Sequence, residues 1–174
     1  MGLPQAIHQM SAQAFTAWEL DQPERHEFFR GEVLRVFGMG GARREHVRAT
    51  MNIDRSLDNH LTGTPCQAFM ADMKVHVEAT GDMFYPEILV TCDPRDLRAS
   101  LEMQHAKLII EVLSPTTATF ARGDTFLTYR RIEALQEYAL ADPHAKTFEV
   151  YRRQANLSDW LLTQGHPEEG LVLH

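Results

Sequence analysis

Cysteine is scarce in this chain. Among 174 residues only Cys66 and Cys92 carry a thiol, too few for a disulfide framework and too far apart for a CxxC pair. They read as reduced thiols in or near the core of a cytoplasmic protein. Lysine is scarce too: Lys74, Lys107 and Lys146 stand against 14 arginines. No stretch approaches the roughly 18 to 20 consecutive apolar residues of a membrane span, so no membrane partner is expected. The opening MGLPQAIHQM lacks a basic start followed by an apolar segment, and Ala6 stands where a myristoylation signal needs Ser or Thr. Neither a secretory leader nor a lipid anchor is expected. With 24 acids against 17 bases the net charge is −7. No overall field draws such a chain to nucleic acid or anionic lipid, so a phosphate-binding role needs a local basic patch. Internal repeats, low-complexity tracts and long Pro/Gly/Ser linkers are also missing.

What is present is an ordinary globular composition, 44% hydrophobic and 24% charged. The length suits one domain, and folding at this size buries roughly 70% of the unfolded chain's surface. Ser11 reads as the N-cap of a helix running to Asp21. HEFFR-Gly31-EVLRVF reads as a hairpin, and residues 42–61 as a helix with Ile53, Leu57, Thr50, Leu61 and Val47 on one side. CQAFM and MKVHVE follow as strands, the second alternating Met73, Val75 and Val77 with Lys74, His76 and Glu78. PEILVTC and KLIIEVL, mostly apolar, suit central strands covered on both faces. A helix is expected from Thr119 to Ile132, then strands at QEYALAD and KTFEVYR. Helices inserted among strands make this an α/β or α+β domain.

Glu111 is the most informative residue. It lies inside KLIIEVL, where an ionised carboxylate is costly unless it is paired, hydrogen-bonded or bound to metal. Alternation puts it on the face of Ile109 and Leu113. It is either a strand-end carboxylate paired with an arginine, or a metal-binding or catalytic acid. Glu87 follows Pro86 at the start of the other apolar strand. Two carboxylates at the ends of adjacent buried strands are hard oxygen ligands suited to Mg²⁺ or Mn²⁺. Other motifs fall away. The nine histidines form no zinc spacing, the glycine-rich turn at 37–41 lacks phosphate-loop spacing, and Ser114 has no GxSxG elbow. Arg44, Arg48 and Arg55 make a stripe on the second helix that either tracks a phosphate backbone or, diluted by Glu45, Asp54 and Asp58, is a solvated face.

YPEILVTCDP, KLIIEVLSPTT, RGDTFLTYRR, QEYALADP and KTFEVYR, preceded by HEFFRGEVL and His46, together resemble the Uma2 family of restriction-endonuclease-like proteins. The resemblance spans about residues 15–153, with every block in order. It implies a PD-(D/E)xK nuclease core, a mixed β-sheet flanked by helices with acids converging on a divalent metal. Residue by residue, it places the family's Pro-Asp aspartate at Glu87 and its second acid at Glu111. The lysine of typical nucleases falls on Leu113, and the helix position where Uma2-like chains carry it falls on Thr125, with Tyr129 at the family tyrosine. Glu27 and Glu32 match two N-terminal acids, and Glu32 is the expected third ligand. Arg122, three residues before Thr125, is the nearest substitute cation, a poor base but a competent phosphate clamp. His46 matches a family histidine but reads here as a satisfied core or capping residue. The expected function is Mg²⁺- or Mn²⁺-dependent hydrolysis of DNA phosphodiesters, reduced by the missing lysine. The alternative is an inactive nuclease fold kept as a binding or regulatory module. A homodimer is expected by analogy with such folds.

Overall fold

A short first strand, β1 (Ala6–Gln9), leads into helix α1 (Ala12–Glu19), and the Ser11 hydroxyl accepts the Ala14 N–H at 3.2 Å as the expected cap. These features come from a computed structural model, which describes residues 6–36, 44–115, 117–156 and 158–166. The glycine-rich turn at 37–41 and the expected first residues of the second helix lie outside them. β2 (His26–Phe29) and β3 (Glu32–Arg35) form the expected hairpin. Arg30 and Gly31 both take positive φ, +51° and +84°, the turn whose twist matches two antiparallel strands. Helix α2 (Arg44–Leu61) comes next, followed by β4 (Gln67–Met70), β5 (Lys74–Val77), β6 (Asp82–Phe84) and β7 (Ile88–Thr91). β8 (Glu102–Met103) and β9 (Leu108–Val112) precede a helical stretch. That stretch is α3 (Ala118–Phe120), a π-helical turn (Ala121–Thr125) and α4 (Phe126–Tyr129). β10 (Glu137–Asp142), β11 (Thr147–Arg153) and β12 (Trp160–Gly165) follow.

The strands form two six-stranded sheets rather than one. The first has the order β1-β3-β2-β6-β5-β8 and the second β12-β11-β10-β9-β7-β4. Both are mixed, because β5 pairs with β8 and β9 with β10 in parallel while their other neighbours are antiparallel. This α/β architecture is compatible with the restriction-endonuclease-like fold. Among the described residues no helix is long and apolar enough to cross a membrane.

Apolar packing joins the layers. Phe29, Leu34, Val77 and Phe84 of the first sheet share one core with Leu89, Ile109 and Leu140 of the second and with Phe126 and Tyr129 of α4. α1 covers the other face of the first sheet, where Phe15 meets Phe28, Val33 and Met83. α2 covers the other face of the second, with Ile53, Leu57 and Leu61 against Ile88, Val90 and Ile110. β7 and β9 are therefore covered on both sides, as their apolar runs require. Two side chains depart from the pattern. Val47, expected on the apolar side of α2, is exposed because it lies before the part of the helix that meets the sheet. Lys74, expected to alternate toward solvent, is buried and pairs with Glu102 at 3.6 Å.

The cysteines are corrected as well. Cys66 and Cys92 are joined in a disulfide. The β4–β7 register explains it: Gln67 faces Thr91, so the residues one step beyond, Cys66 and Cys92, meet at the end of the ladder. The disulfide removes the inference from free thiols to a reducing compartment.

Candidate acidic site at the seam of the two sheets

Glu111 sits on β9, and the antiparallel register pairs Ile88 with Ile110 and Leu89 with Ile109. One step further along that register, Glu87 stands opposite Glu111. Alternation turns Glu111 to the face of Ile109 and Leu113, both part of the core shared by the two sheets. There the buried Tyr129 hydroxyl donates to Glu111 Oε1 at 3.4 Å. Burial among apolar groups lifts the Glu111 carboxyl well above the usual carboxylate range, and the negative charges of Glu87 and Glu27 lift it further. Hydrogen bonds from the Glu87 backbone and from Tyr129 act in the opposite sense.

The third acid arrives from the first sheet. Glu27 lies on β2 opposite Leu34, a residue of the shared core, so it faces the seam. Burial pushes its carboxyl up to about 7, partly offset by a hydrogen bond from the Tyr85 backbone. Tyr85, Pro86 and Glu87 carry the chain from β6 in one sheet to β7 in the other. This segment therefore binds an acid at each end, Glu27 through the backbone of Tyr85 and Glu111 through the backbone of Glu87. Behind it the Tyr85 hydroxyl donates to Glu19 Oε1 at 3.2 Å, and Glu19 also accepts the His26 N–H at 2.8 Å.

His46 is partly buried and its ring is satisfied, but the partner is an acid of the site. On the first turn of α2 its Nε2 lies 2.8 Å from Glu87 Oε1, and that hydrogen bond raises the imidazole's affinity for a proton. The periodicity of α2 put His46 beside Thr50 and Ile53, the correct face of the helix. Nothing in that pattern shows that the start of the face overhangs the end of β7.

The remaining candidates divide. Thr125 is buried in the π-helical turn, four residues before Tyr129 and so one helical turn from the side chain that reaches Glu111. Arg122 does not reach toward the acids. It forks onto Glu149 of β11, with Nε 2.9 Å from Oε1 and Nη2 2.5 Å from the same oxygen. That bidentate pair holds the guanidinium on the far strand. Glu32 takes a hydrogen bond from Gln9 Nε2 at 3.4 Å, whereas the hairpin acid whose charge acts on Glu111 is Glu27. Arg44, Arg48 and Arg55 are exposed, and Arg44 stands 3.7 Å from Glu45.

Among the described residues no group of three His, Cys, Asp or Glu side chains is already arranged around a metal position. What does converge is a facing pair, Glu87 and Glu111, with Glu27 near enough for its charge to be felt. Among the described residues no lysine or arginine is ion-paired with any of the three. Carboxylate oxygens without a lysine or arginine partner are the donor type a hard dication takes.

The Uma2 family, described as "Putative restriction endonuclease", matches residues 12–173. The uncharacterized protein slr1290 of Synechocystis sp. is 30% identical over 94% of this chain and 84% of its own length. A second protein of that organism, the uncharacterized protein sll1609, is 30% identical over 89% of this chain and 86% of its own. The expected blocks stand in their expected elements, Tyr129 meets Glu111, and a match runs through nearly the whole chain: the protein belongs to the Uma2 family.

Proposed function

We propose that this protein is a divalent-metal-dependent endonuclease that hydrolyses DNA phosphodiesters, slowed by the absence of a lysine at Thr125. The observation that carries this reading is that Glu87, one residue before β7, stands opposite Glu111 of β9, with no basic side chain among the described residues paired to either except the imidazole of His46. Glu87 and Glu111 would hold Mg²⁺ or Mn²⁺, and Glu27 takes the third-acid place first expected of Glu32. An ion bound there would orient a phosphodiester, lower the pKa of water and offset charge developing on the phosphate. The chain's own residues do the positioning. Tyr129 donates to Glu111 and keeps its carboxylate turned to the seam, and the backbone of residues 85–87 spaces Glu27 from Glu111. Thr125 supplies no positive charge where a lysine would neutralise the transition state.

A second reading is favoured by a specific observation. With Thr125 uncharged and Arg122 committed to Glu149, neither position supplies the site with a fixed positive charge, as in an inactive fold kept for binding. One assay separates the two. The protein is incubated with plasmid and with single-stranded DNA in Mg²⁺ and in Mn²⁺, beside Glu111→Ala. Cleavage that disappears in the variant supports the nuclease; equal absence of cleavage in both supports the binding module.

A further inference from the structure

We propose that His46 is a positioning residue for the acidic site, holding the Glu87 carboxylate against Glu111 and thereby setting the affinity for a divalent cation. This rests on the metal-binding reading above and adds a residue from α2, outside both sheets.

The backbone of Glu87 is held from two directions. Its carbonyl accepts the Ala71 N–H at 3.0 Å, and its own backbone hydrogen-bonds the Glu111 carboxylate. The side chain beyond is freer. Glu87 is about a third exposed (31%), so its carboxylate has room to swing into solvent. Among the described residues the side-chain contact opposing that swing is His46 Nε2, 2.8 Å from Oε1. Among the described residues no hydrogen bond or ion pair engages Oε2.

The imidazole is well anchored for this task. The Thr50 hydroxyl, one turn on and buried, donates to the His46 carbonyl at 3.1 Å. Ile53, Leu57 and Leu61 then fix α2 on the outer face of the second sheet. The helix that packs on β7 therefore delivers the donor to the acid at the start of β7. A neutral ring suffices, with Nε2–H donating. This is the supporting contact that orients ligating groups in metal sites, where its loss weakens binding.

The test uses Mn²⁺ as probe, with affinity read by calorimetry on the full-length protein and folding checked by circular dichroism. Wild type is compared with His46→Ala, His46→Gln and Glu87→Gln. Gln carries an N–H that can reach the same oxygen but is a poor metal ligand. The expected result is Mn²⁺ binding weakened about 10- to 100-fold by His46→Ala and restored to within about threefold of wild type by His46→Gln. Wild-type affinity in a folded His46→Ala overturns the positioning role while the metal site stands. Loss in both histidine variants overturns it in favour of direct ligation. If wild type binds no Mn²⁺ and Glu87→Gln changes nothing, the metal-binding reading itself fails and this proposal goes with it.

Discussion

At pH 8 the Glu27 carboxylate must stay charged in a place that its neighbours have largely dried out. A carboxyl lifted to about 7 by burial binds its proton more tightly folded than unfolded. The sign follows from linkage: its contribution to stability is complete below the unfolded value near 4.5 and is lost as pH rises through about 7. The loss is at most about 3 kcal/mol. In EDTA, Glu27→Gln should melt above wild type at pH 8, and the two curves should converge near pH 5. Parallel curves across that range would remove Glu27 from the crowded group. At this scale the sequence was informative where a charge broke a pattern. Glu111 interrupts an apolar strand and Glu87 follows a proline, so both stand out. Glu27 and Glu32 share one face of the hairpin, and the expectation fell on Glu32; what separates them is position along the strands, since the charge acting on Glu111 is that of Glu27.

The helical stretch from Ala118 to Tyr129 raises the question of what one substitution could restore. Its π-helical turn ends at Thr125, where the family resemblance places a lysine. Such turns often occur at functional sites. Periodicity could not reveal it, because 3.6-residue spacing shows a helix from Thr119 onward but not one widened turn. Thr125→Lys puts an ammonium one turn before Tyr129, on the side that meets Glu111. Cleavage of plasmid DNA in Mg²⁺ should rise by about 100-fold or more, the scale of one transition-state donor. An unchanged rate in a folded variant would mean that the residue aligned with the lysine lies elsewhere on this stretch. Arg122, by contrast, was legible as a cation near the site but not as one already held by Glu149. Nothing local in the sequence shows which strand β11 lies beside.

At the scale of the whole molecule the connectivity decides more than any element does. β4 and β7 lie together although β5 and β6 come between them in the chain, so the facing of Cys66 and Cys92 was invisible to local pattern. Closing a loop with a separation of 26 residues stabilises the fold by roughly 3–4 kcal/mol. Reduction, or the double change Cys66→Ser and Cys92→Ser, should lower the melting temperature by on the order of 10 °C. A melting curve indifferent to reductant would mean that the thiols are not joined.

The passage from β6 to β7 also has a mechanical consequence. Because Tyr85 and Glu87 are stitches of one thread, each fastened to an acid of a different sheet, the gap between those acids gauges the spacing of the two halves. Anything that draws the carboxylates together must tug the halves into closer register. A change in that gap would then be felt as stiffness across the full width of the protein.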